Sequence, residues 1–187
     1  MKNFHLILFT LLALSCTVSV DNSKEEEEQV DLYSYDVEEK IDEMGITLTE
    51  PSVPVANYVN AVRTGNLIFM AGKGPSKPEG GYVAGKVGVD LTIEEGYAAA
   101  RLAAIAQLSA LKAEIGDLNK VVRIVKVLGM VNAPADFTNQ PEVINGFSDT
   151  MVEVFGERGK HARAAVGMGS LPRNIAVEVE MIVEVRD

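Results

Sequence analysis

The stretch HARAAVGMGSLPRNIAVEVEMIVEV, from His161 to Val185, decides the fold. In its second half Val177, Val179, Met181 and Val183 alternate strictly with Glu178, Glu180 and Ile182. A period of two with one wholly apolar side is the mark of a strand laid on a core by one face. The first half is a second apolar segment, opened by Arg163, and GSLPRN forms the bend between them. An arginine in an apolar strand is costly unless its guanidinium is paired or waits for a ligand.

Working outward, VVRIVKVLGMV (Val121 to Val131) is β-branched and apolar on both sides, which predicts a central strand. Before it, Thr92 and Glu95 form a capping-box pattern, and Leu102, Ile105, Leu108, Leu111 and Ile115 predict the buried stripe of a helix ended by Gly116. After it, a second helix is predicted from about Pro141 to Phe155. Tyr58 to Val62 and Leu67 to Ala71 read as a hairpin around Arg63-Thr64-Gly65-Asn66, and Val37, Ile41 and Met44 share one face of a short helix stopped at Gly45. The order is ββ(β)αβαββ, an α+β domain with two long helices packed on one face of a mixed sheet. On the other face Glu178 and Glu180 read by themselves as an ordinary solvated sheet surface, but Ile182 and the doubly apolar strand make that face half-apolar, and such a face usually associates, so a homo-oligomer is expected.

The 187 residues suffice for one domain. The net charge of −10 argues against nucleic acid as a partner, because phosphate binding rests on Lys and Arg. The N-terminus, MKNFHLILFTLLALSC, has a basic Lys2, an apolar run too short to span a membrane, and a small residue before Cys16. It predicts a signal peptide over residues 1–15, and Ala13-Leu14-Ser15-Cys16 resembles a bacterial lipobox in which the Cys16 thiol is acylated; a plain cleaved signal stays open. Export to the periplasm or to a membrane-anchored position follows. Residues 16–31, with KEEEEQ, read as an acidic tether, and 32–187 as the folded domain. One cysteine excludes an internal disulfide, and with His161 as the single histidine beyond the signal a zinc site built on Cys and His is excluded; no metal and no cofactor are expected. His161 has no Gly-x-Ser-x-Gly partner for a hydrolase triad. The P-loop-like Gly80 to Val87 lacks a hydroxyl after Lys86 and does not open a helix, so it reads as a glycine-rich turn.

TGNLIFMAG, HARAAV and LPRNIAVEVEMIVEV together resemble the reactive-intermediate (imine and enamine) deaminase family, the YjgF-like or Rid superfamily, from about Pro54 to Val185. VANYVNAVRTGN and the extra N-terminal helix are similar to one less-characterised branch of it. The resemblance implies a chorismate-mutase-like fold, a homotrimer and ligand clefts between subunits. It implies that Arg163 clamps a substrate carboxylate, that Glu178 orients water, and that Tyr58 on the first strand, Gly72 and Asn145 complete the substrate site. The family's serine before the glycine is Ala71 here, its cysteine near the arginine is Ala165, and its proline before the motif is His161. The leading expectation is hydrolysis of 2-imino acids to 2-oxo acids and ammonia. Two alternatives stay open: a trimer that binds small carboxylates without turning them over, and a surface scaffold or chaperone-like lipoprotein.

Overall fold

The computed structural model describes residues 31–51, 54 and 56–186. The signal, nearly all of the tether and Cys16 lie outside the described residues. The elements follow the order α1 (Val37–Glu43), β1 (Ala61–Thr64), β2 (Leu67–Lys73), α2 (Ile93–Ile115), β3 (Val121–Asn132), α3 (Gln140–Phe155), β4 (Ala162–Met168) and β5 (Val177–Val185). The five strands form one mixed sheet in the order β1-β2-β5-β3-β4, with β3 and β4 parallel and the other neighbours antiparallel. The alternating strand of the opening motif is the middle of the sheet. Its partner segment, β4, is an edge strand, and β3 lies between the two. The bend of residues 169–176 therefore joins strands that are not neighbours.

The expected α+β architecture is present: α2 and α3 cover one face, where Val177, Val179, Met181 and Val183 are buried with Ile124, Val127 and Val131. Thr92 caps α2 reciprocally, its hydroxyl accepting from Glu95 N at 3.1 Å while Glu95 accepts from Thr92 N at 2.8 Å. Gly116 ends the helix at φ +79°, a conformation costly for any residue with a Cβ.

Four details differ from the sequence reading. The buried stripe of α2 is Ala99, Ala100, Ala103, Ala104, Gln107, Leu108 and Leu111, whereas Leu102, Ile105 and Ile115 are half-buried. Close approach of α3 is the reason: a Cβ on Gly146 would stand 2.0 Å from the Tyr97 carbonyl oxygen, so small residues line this crossing. The optional third strand before α2 does not form; Ser76–Tyr82, Ala84–Ile175 and Val87–Leu91 make only isolated bridges. Arg63 and Thr64 belong to β1, paired with Ile68 and Leu67, and only Gly65 and Asn66 turn, with Gly65 at φ +58°. Tyr58, expected on the first strand, precedes it in an irregular segment and is 53% exposed.

The predicted N-terminal helix is α1, with Val37 and Ile41 buried and Asp36 accepting from Glu38 N and Glu39 N. Arg158 fastens the preceding segment, donating to Leu32 O at 3.0 Å and Val122 O at 2.9 Å with its guanidinium over the Tyr33 ring.

Candidate functional site

The predicted residues fall into two groups on opposite faces of the sheet. In the register Val127–Arg163 and Val127–Met181, Arg163 shares the helix-facing side with buried partners. Glu178 pairs with Met130, which pairs with Val166, on the side turned away from the helices.

Arg163 is held by α3. Its Nη1 donates to Asn145 Oδ1 and to Ser148 Oγ, each at 2.9 Å. Both Nη1 hydrogens are thereby committed, and among the described residues Nε and Nη2 make no hydrogen bond, leaving three N–H donors at the exposed sheet edge. Because Oδ1 of Asn145 faces the guanidinium, its Nδ2 is also left as a donor. The Nε and Nη2 side of a guanidinium, with no carboxylate paired to it, suits a planar anion, above all a carboxylate. Ser148 continues to His161, whose Nε2 lies 3.1 Å from Ser148 Oγ and whose Nδ1 lies 2.7 Å from the Gly159 carbonyl oxygen. Burial pushes the imidazole pKa down, the Gly159 carbonyl draws it up, and the Arg163 charge lowers it further.

The second group sits at the irregularity between β2 and β5. The register shifts between Met70 and Lys73, where Ala71 and Gly72 bulge. A Cβ on Gly72 would be 2.3 Å from Glu178 Oε1, so only glycine admits the carboxylate where it is. Burial first, and the neighbouring Glu180 second, hold the Glu178 carboxyl above the usual carboxylate range. A carboxyl held protonated to higher pH than usual by burial is a candidate for proton exchange. Asn60 O accepts from Ala71 N at 2.9 Å, so Tyr58, two residues earlier, approaches this end of the sheet rather than Arg163. Beneath the bulge is fully buried Gln107, whose Nε2 donates to Ala71 O at 2.9 Å and Val179 O at 2.7 Å.

Arg163 and Asn145 are thus brought together, Gly72 and Glu178 are brought together, and the two pairs are separated by the sheet. The open face between its edges holds a groove of about 400 Å³ lined by Phe69, Lys126, Leu128, Ala164, Glu180 and Ile182. Among the described residues no cluster of three or more His, Cys, Asp or Glu side chains could hold a metal. Ser148, His161 as its partner, and Gln107 escaped the sequence reading. A signal for the first two existed: Asn145 and Ser148 are three apart on a helix and so share a face, and His161, the residue just before β4, is two positions from Arg163. None existed for Gln107, which looks like an ordinary polar helix residue.

Residues 38–185 match the family model described as "YjgF/chorismate_mutase-like, putative endoribonuclease". The chain belongs to the YjgF/chorismate-mutase-like family. Protein TCP17 of Trypanosoma cruzi is 43% identical over 145 residues, covering 77% of this chain and 91% of that protein. A RutC family protein of Pyrococcus abyssi is 34% identical over 130 residues, 69% of this chain and 87% of its own. Among solved structures, a protein of unknown function from Agrobacterium tumefaciens superposes with a TM-score of 0.73 at 41% identity, over 80% of this chain and 94% of that one. A "putative endoribonuclease" from Shewanella oneidensis gives 0.77 at 29% identity, over 81% and 100%.

Proposed function

We propose that the protein binds a small carboxylate-bearing molecule in a cleft between copies of the chain, and that it hydrolyses 2-imino acids there to 2-oxo acids and ammonia. The observation that carries the binding reading is Arg163, anchored through Nη1 to Asn145 and Ser148 with Nε and Nη2 unpaired. Its separation from Glu178 by the sheet favours a shared site in which one copy supplies the arginine and a second supplies Gly72 and Glu178; a homotrimer satisfies this three times over. In that cleft Glu178 would take a proton from water as it adds to the imine carbon, and the resulting carbinolamine would expel ammonia once its nitrogen is protonated. No covalent nucleophile and no cofactor is required, so Ala71 and Ala165 do not preclude the reaction.

Those same two alanines favour a second reading, a carboxylate-binding trimer without turnover. The endoribonuclease in the family's description sits poorly with a net charge of −10. Calorimetric titration of 2-oxobutanoate, with ammonia release measured from imines generated in situ, separates the readings. Arg163→Ala should lose the carboxylate, at about 1.5–3 kcal/mol for each charged hydrogen bond removed. Glu178→Gln should keep binding and slow turnover if the protein is an enzyme. Equal affinity in wild type and Arg163→Ala would sink both readings. Export with acylation of Cys16 belongs to the same proposal, and Cys16→Ala should then release the protein from membranes.

A further inference from the structure

We propose that Ser148 and His161 are positioning residues that orient the Arg163 guanidinium through a one-directional hydrogen-bond relay. This rests on the reading of Arg163 as a carboxylate site. The direction follows from counting protons. His161 Nδ1 faces the Gly159 carbonyl at 2.7 Å, and a carbonyl can only accept, so Nδ1 carries the hydrogen. The half-buried imidazole, disfavoured as a cation by desolvation and by Arg163, then offers a lone pair at Nε2. Ser148 has a single hydroxyl proton and gives it to Nε2 at 3.1 Å, which leaves Oγ free only to accept. Oγ therefore receives Nη1–H at 2.9 Å, alongside Asn145 Oδ1, and two fixed acceptors on one nitrogen set the guanidinium plane.

Without His161 the Ser148 proton would be free to turn back to its own helix carbonyls, as serines within helices do. The far end of the relay is rigid. Gly159 is buried against α3, where a Cβ would stand 2.1 Å from the Met151 carbonyl oxygen, and the Phe147 ring meets the imidazole edge-on at 6.4 Å. The charged neighbours Glu157 and Lys160 pair with each other at 2.7 Å, and no carboxylate among the described residues bonds the imidazole.

The experiment compares full-length wild type with Ser148→Ala, Ser148→Thr, His161→Ala, His161→Gln and Arg163→Ala, titrating each with 2-oxobutanoate and with its uncharged amide. Ser148→Ala and His161→Ala should weaken the acid about tenfold and the amide hardly at all, because one oriented charged hydrogen bond is at stake. Ser148→Thr and His161→Gln, which keep a hydroxyl and an acceptor, should recover most of the loss. A merely structural role would weaken both ligands alike, and that result would overturn the relay. Nitrogen-15 NMR of the imidazole provides an arm that needs no ligand: wild type should show the Nδ1–H tautomer at neutral pH, and Ser148→Ala should shift the Nε2 resonance. An unshifted resonance sinks the relay whatever the protein binds. Binding untouched by Arg163→Ala removes the carboxylate reading and the relay with it; binding lost in Arg163→Ala but an unchanged acid-to-amide ratio in the other variants removes the relay alone.

Discussion

Glu178 shows how burial, with a like-charged neighbour, sets a side chain's chemistry. Its carboxyl is raised by burial and by Glu180, so over the window between the ordinary carboxylate value and the raised one the native state binds more protons than the unfolded chain. Stability then falls as pH rises through that window, and the cost persists above it. Glu178→Gln removes the titration. Its thermal midpoint should exceed that of wild type at neutral pH, with the advantage fading below about pH 4, where both carboxyl states are protonated. A variant less stable than wild type at neutral pH contradicts this. Gly72→Ala tests the same contact from the other side. A Cβ 2.3 Å from Oε1 must expel the carboxylate, so if the proposed reaction holds, turnover should fall while 2-oxobutanoate still binds.

At the scale of elements, two devices hold the sheet and helices in register. Gln107 bridges the β2 bulge and β5, its Nε2 donating to both Ala71 O and Val179 O from beneath the sheet. Gln107→Leu takes a donor from each of two carbonyls, at about 1–3 kcal/mol each, offset in part by removing an Oε1 that is buried without a partner among the described residues, and urea unfolding should show a net loss with an unchanged slope. The α2–α3 crossing is the other device. Gly146→Ala gains about 1 kcal/mol of helix propensity, but its Cβ would stand 2.0 Å from backbone, which no rotamer relieves, and overpacking costs about 1–3 kcal/mol or more. The clash wins, so the variant should unfold at lower urea; an increase in midpoint would show that the helices can part cheaply.

For the whole molecule the decisive surface is the sheet face opposite the helices. Rows across it run Val62–Phe69–Ile182–Lys126 and Glu180–Leu128–Ala164, and Phe69 and Val62 are 44% and 56% exposed. Apolar rows of this extent ask for cover. Light scattering should give the mass of three chains, and Phe69→Glu should reduce it to one. If the site is shared between copies, that monomer should also lose 2-oxobutanoate, although Arg163 and its partners on α3 are untouched. A monomer that binds as well as wild type would place the whole site within one chain.

The sequence by itself determined the fold class, because the alternation of residues 177–183, the capping box at Thr92 and the glycine at position 116 are local patterns that local sterics and hydrogen bonding enforce. It also pointed to Arg163, since a charge in an apolar strand stands out without any structure. Tertiary structure alone decided the rest. Insertion of β3 between β5 and β4 parted Arg163 from Glu178, and the register, with Val127 opposite both Arg163 and Met181, put them on opposite faces; order and register are set by long-range pairing that no local period records. The face of α2 that is buried depended on where α3 crosses it, and its alanines carried less hydrophobic signal than the leucines beside them. Ser148, His161 and Gln107 matter through partners 13 to 72 residues away in the chain, and only folding measures those distances.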